Sequence, residues 1–216
     1  MGFWSSVGSA ISSAVSFVSN AVSSIGGALA GAASGLLKVA GPLLGDVTTV
    51  IQLVAKFFNV LKPSDNVEEL GAKAMQADKK PEDFDSNAEY IDYLRNEIEL
   101  DKEKFNKAGP VERSARTAVG ASIASKGIEE AKGINIPAEF WVKVTEQSLK
   151  TNEISSIIQA FKDNKLEDYV AFSKGELSPK DEIKTGDKLA EIYKDLDPSL
   201  TDEEIEDKIM KMEATA

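Results

Sequence analysis

The chain has 216 residues and a formal net charge of −11, enough for one large domain or two small ones. It contains no histidine and no cysteine, which excludes disulfides, zinc held by thiolate or imidazole, and Cys–His or Ser–His catalysis. The charge is split: residues 1–62 carry only Lys38, Asp46, Lys56 and Lys62, net +2, leaving 22 of 25 basic and 35 of 36 acidic residues, net −13, to 63–216.

A domain boundary near Pro63 follows from that split. Residues 1–62 read as an uncharged Ser/Gly/Ala-rich segment that is membrane-active or oligomerising. Residues 63–216 read as an acidic soluble all-α domain.

The first 37 residues hold ten serines and no charged side chain. No basic n-region precedes Lys38, so no cleavable signal peptide is expected. Phe3 and Trp4 suit an interfacial anchor, or two ordinary core positions. Met1-Gly2 with Ser6 also matches the short myristoylation pattern, with bulky residues beside the glycine.

Val7, Ile11, Val15, Val18, Val22, Ile25 and Leu29 recur at steps of four and three, an apolar stripe at helical spacing. Ser9, Ser12, Ser13, Ser16, Ser19, Asn20 and Ser23 fill the other side. The predicted element is an amphipathic helix whose polar face is made of hydroxyls. In a helix such hydroxyls bond back to main-chain carbonyls, so the face tolerates lipid or lines a water path in an assembly.

Gly27, Gly31 and Gly35 follow at intervals of four, two overlapping G-x-x-x-G units. They predict a groove for close helix packing; a flexible Gly/Ala loop is the alternative. Gly41-Pro42 predicts a turn. Beyond it Val47, Val50, Ile51, Val54, Phe57, Phe58 and Leu61 share one helical face, with Thr48, Thr49, Gln52, Lys56 and Asn59 opposite. Asp46 at the start and Lys62 at the end agree with the helix dipole. Lys56 and Asp46 are expected near a lumen or interface, and Phe57 and Phe58 as membrane anchors. The segment is short for an unassisted span, so an interfacial helix or one wall of an oligomer fits it.

From residue 64 the pattern is helical with no convincing strand pair. Ile91, Leu94, Ile98 and Phe105 mark one charged helix over 87–107. Pro110 opens a small-residue helix reaching Lys132. Pro137 opens another carrying Phe140 and Trp141, which serve as core or as a partner hot spot. Ile154, Ile157, Ile158 and Phe161 mark a further helix; Leu189, Ile192, Tyr193 and Leu196 mark the next. Ser178-Pro179 with Asp181, and Thr201 with Glu204, are capping signals. The expected fold is all-α: an N-terminal amphipathic, glycine-zipper helical hairpin, then a compact domain of five to seven helices.

Chemical motifs are few. There is no phosphate-binding glycine loop. Asp195, Asp197, Ser199 and Glu206 sit at calcium-loop spacing, but Leu200 occupies the position that needs glycine, and the capping box accounts for Ser199 to Glu204. No catalytic residue, metal site or cofactor is assigned, and no enzymatic activity is expected. The acidic domain has the wrong sign for nucleic acid.

Over residues 2–61 the serine-interrupted stripe, the Gly27/Gly31/Gly35 repeat and the helix ending at Lys62 resemble small pore-forming effectors of type VI secretion systems. That resemblance implies secretion without a cleaved signal, depolarisation of a target membrane, and a chaperone or immunity partner. The expected function is a membrane-inserting, oligomeric pore-former, a secreted toxin or effector soluble in the producing cytoplasm before delivery. The alternatives are a phage or viral virion protein for ejection, membrane penetration or structure, with a particle component as partner, and a homo-oligomeric helical scaffold that needs no membrane.

Overall fold

Why the N-terminal stripe does not form one long helix is visible in the backbone. In the computed structural model, which describes residues 3–162 and 166–213, the chain runs as α1 (Phe3–Asn20), α2 (Val22–Ile25) and α3 (Gly27–Ala40). Ala21 leaves helical geometry with ψ near 3°, and Gly26 has φ 78°, a left-handed value that favours glycine. These breaks turn α3 back onto α1. The hairpin is therefore α1 against α3, and the expected uninterrupted helix over 7–29 is corrected.

The turn expected at Gly41-Pro42 is present as a 3-10 turn, Gly41–Leu43, and Gly41 has φ 51°. It leads into α4 (Leu44–Phe57). Val47, Ile51 and Val54 are buried along α4, as the stripe requires, and Leu61 is buried just after it. Thr48, expected on the wet face, is buried as well. Its hydroxyl donates to the Gly45 carbonyl at 3.0 Å, which makes its burial affordable.

The chain divides into two compact units, Met1–Ala131 and Lys132–Ala216. The division is thus not at the composition boundary near Pro63. The first unit continues with α5 (Val67–Gln76), α6 (Asn87–Glu97), α7 (Lys102–Asn106) and α8 (Pro110–Lys132). The helix predicted over 87–107 is two helices. Ile98 is extended, and Asp101 caps α7 by accepting from the Glu103 and Lys104 amides at 3.0 and 3.1 Å. That cap competes with a continuous helix.

The centre of the first unit is α8. Ala115, Ala118, Val119, Gly120, Ala121, Ile123 and Ala124 are all buried, so small residues surround most of its circumference. Such a helix lets its neighbours approach closely. A methyl group on Gly120 would stand 2.6 Å from the Val67 carbonyl carbon and 2.9 Å from the Gly71 nitrogen, with the Val67 oxygen closer still. A methyl group on Gly71 would meet Arg116 and Gly120 in the same way. This crossing of α5 and α8 is backbone against backbone.

The second unit holds α9 (Ala138–Glu146), α10 (Thr151–Ala160), α11 (Leu166–Phe172), α12 (Pro179–Leu196) and α13 (Asp202–Glu213). Its core is aromatic: the Phe140 ring centroid lies 5.3 Å from Trp141 and 5.4 Å from Tyr169. Trp141 and Phe140 are fully buried, so they are core residues here. The predicted caps are formed: Asp181 N–H donates to Ser178 Oγ at 3.3 Å, and Thr201 N–H donates to Glu204 at 2.8 Å. Residues 63–216 therefore carry nine α-helices among the described residues, more than the five to seven expected, and no strand. The fold is all-α, an apolar N-terminal segment leading into a helical bundle.

Candidate functional site

The outer surface of α1, α3 and α4 is where the N-terminal composition becomes geometry. On α1, Ala14 and Val18 are buried and Ile11 and Val15 are half-buried, so this part of the stripe faces inward. Val22 of the same stripe is exposed. The opposite side carries Ser9, Ser12, Ser13, Ser16 and Ser19, all exposed, and Ser23 of α2 is exposed too. The side chains of Phe3, Trp4 and Val7 lie outside the described residues.

Four of those serines are satisfied by their own helix. Ser12 donates to the Gly8 carbonyl at 3.0 Å, Ser13 to Ser9 at 2.8 Å, Ser16 to Ser12 at 3.0 Å and Ser19 to Val15 at 3.0 Å. Each bond spans one helical turn. A donor already engaged loses little when water is withdrawn, whereas a free hydroxyl taken into an apolar medium costs about 1–3 kcal/mol on protein scales. The face is polar in composition and largely self-satisfied in hydrogen bonding.

The glycine repeat is not used inside the chain. Gly27 and Gly31 are exposed and Gly35 is half-buried, and a methyl group on any of them would meet nothing within 4 Å. Within the chain, close packing is found instead at Gly71 and Gly120. No G-x-x-x-G spacing announces them; their only signal is glycine within otherwise well-formed helices.

On α4, Asp46 lies exposed in the first turn, where the dipole favours an anion. Lys56 Nζ donates to the Pro63 carbonyl at 2.9 Å, closing the loop that follows α4. Leu53 is 48% exposed and Phe57 is 52% exposed, four residues apart on one face. Phe58 is half-buried, and its ring meets Phe57 edge-to-face at 5.5 Å. Phe17, Val22 and Val39 are also exposed, so most of the large exposed hydrophobic residues described lie before residue 62. By length and composition the run Gly27–Phe57 is able to cross a membrane, a test that buried core helices also pass; the turn at Gly41–Leu43 interrupts it here.

Asp65 and Arg95 tie the loop after α4 to α6. Arg95 Nη2 and Nε donate to the Asp65 carboxylate at 2.7 and 3.1 Å, and the Lys62 amide donates to it at 2.7 Å. Burial pushes the Asp65 pKa up; the Arg95 hydrogen bond, the Lys62 amide and the Arg95 charge outweigh burial and hold it below the ordinary value.

Elsewhere, Glu82, Asp85 and Glu130 line a 280 Å³ depression with Leu29 and Phe84. Glu130 is engaged there, accepting from the Asn87 amide and side chain at 2.8 Å each. At the calcium-like spacing, Asp197 accepts from Ser199 N–H and Oγ at 3.1 and 2.6 Å, which lowers its pKa. No cluster of three or more potential metal ligands occurs among the described residues. No protein-family model matches the chain, and no curated protein or solved structure matches its sequence or fold.

Proposed function

We propose that the chain is a membrane-inserting protein that assembles into pores, delivered to a target membrane as a secreted toxin or effector. One observation carries this reading. In the folded chain, the outer face of α1, α3 and α4 exposes self-bonded serines, unpacked glycines and large apolar side chains, where a soluble protein normally displays Lys and Glu. Such a face is poorly suited to permanent contact with water and well suited to lipid or to another copy of itself. Two or three helices of one copy cannot enclose a pore, so the functional form is a homo-oligomer in the bilayer. The glycines of α3 supply the close approach between copies, and the hydroxyls of α1 face the lumen. A chaperone or immunity protein that covers this face before delivery belongs to the same reading. The mode of action is physical leakage, without catalysis.

Dye release from liposomes tests it. The purified protein is expected to empty vesicles, and Gly31→Leu is expected to abolish release. The variant is informative because a Cβ at position 31 meets nothing within 4 Å, and circular dichroism checks that the fold is kept. No leakage and no vesicle binding at any pH refutes the proposal. A stable oligomer in water that never binds vesicles supports a helical scaffold instead.

A further inference from the structure

The first unit contains a cavity of 360 Å³ that the pore reading does not use. It lies where α1, the Gly41–Leu43 turn, the start of α4 and the start of α8 meet. Ile11, Leu37, Pro42 and Leu44 supply apolar walls. Arg113, Ser114 and Thr117 of α8 supply the polar side. Its volume is at the small end of ligand sites, and the combination of apolar walls with a few convergent polar groups is what such sites share.

Arg113 is the informative residue. The chain has three arginines and 36 carboxylates. Arg95 is ion-paired with Asp65 and Asp92, and Arg116 with Glu112. Arg113 has no carboxylate partner among the described residues. Its Nε donates to the Ala108 carbonyl at 3.1 Å and its Nη2 to the Asn106 carbonyl at 3.0 Å. These two bonds hold the guanidinium in place while neutralising none of its charge. Nη1 makes neither of them. Asp46, in the first turn of α4, is not among the residues lining the cavity. Arg113 is exposed, so its guanidinium sits at the rim of a cavity that Ser114 and Thr117 also line, and a charged fork with no carboxylate partner there suits a phosphate head group.

We propose that this cavity binds a single-chain anionic amphiphile, the phosphate head at Arg113, Ser114 and Thr117 and the chain against Ile11, Leu37, Pro42 and Leu44. The inference does not depend on pore formation. Because Leu37, Pro42 and Leu44 flank the turn between α3 and α4, an occupant would brace that turn.

Calorimetric titration of the full chain with dodecyl phosphate, kept below its micellar concentration, tests the site. One equivalent is expected to bind. Arg113→Gln is expected to weaken binding at least tenfold, as loss of a charge-assisted hydrogen bond requires, and Arg113→Lys, which keeps the charge but loses the planar fork, to weaken it by less. Gly45→Phe grows from an open position on the cavity wall and is expected to abolish binding. Circular dichroism checks that each variant is folded. Dodecanol binding as tightly as dodecyl phosphate overturns the head-group assignment. Inorganic phosphate binding as tightly overturns the amphiphile. No binding, many equivalents per chain, or unchanged affinity in folded Arg113→Gln and Gly45→Phe overturns the site. Leakage without dodecyl phosphate binding would leave the pore reading intact and remove this one alone.

Discussion

Gly120 and Gly31 are both helical glycines, and replacing each with alanine is expected to change stability in opposite directions. At Gly120 the added methyl would stand 2.6 Å from the Val67 carbonyl carbon. Ordinary carbon contacts are about 3.5–4.0 Å, and the Val67 oxygen is closer still, so α5 and α8 must part by more than about 1 Å. The obstacle is backbone in a regular helix and cannot swing aside. A gap of that size forfeits about half or more of the dispersion attraction across the crossing. The cost is therefore placed at the top of the overpacking range, about 3 kcal/mol, or near 10 °C in Tm for a unit of this size. At Gly31 nothing lies within 4 Å, and the helix gains about 1 kcal/mol from the alanine. Thermal and urea unfolding of the two variants measure the difference. A Gly120→Ala protein within about 0.5 kcal/mol of the parent would refute the claim that this crossing is closed to any side chain.

Other expectations follow from the same geometry. Replacing Leu53 and Phe57 by serine should lower Tm by about 7 °C, because the buried half of each side chain is worth about 1 kcal/mol to the fold. Vesicle affinity should fall roughly thirtyfold in the double variant, from about 1 kcal/mol of lost burial per side chain, read by sedimentation with liposomes. Asp65→Asn removes two charge-assisted bonds to Arg95 and should cost about 2–3 kcal/mol at neutral pH. Since the folded Asp65 pKa is lowered, its contribution is complete above the unfolded value near 3.8 and is lost as pH falls through the folded value. Acid titration of stability should therefore be shallower below pH 4 in the variant; an unchanged acid limb would show that the pair does not contribute.

Periodicity and end signals are local properties, and those were legible along the chain. The stripe at Val47, Ile51 and Val54, the caps at Ser178 and Thr201, the proline starts at Pro110 and Pro179, and the back-bonding of Ser12 to Ser19 all depend on residues within one or two turns. Such contacts carry little loop entropy, so the sequence order nearly dictates them. All-α character followed from them. What depended on distant partners was not legible. Whether a glycine packs is decided by what crosses it: the spaced Gly27, Gly31 and Gly35 meet only open space, while isolated Gly71 and Gly120 meet each other across α5 and α8. Whether Lys56 stands free is decided by the path of the loop that brings the Pro63 carbonyl to it.

The charge split near Pro63 does not mark a structural boundary, for the same reason. Net charge is additive along the chain, so sequence alone established that residues 1–62 are almost uncharged and that 63–216 carry the acid. Compactness is set by buried contacts, which ignore composition boundaries. The tertiary structure decided that residues 1–62 share a unit with α5 to α8, which extends to Ala131. It also decided which half of their apolar surface is hidden and which half stays outside.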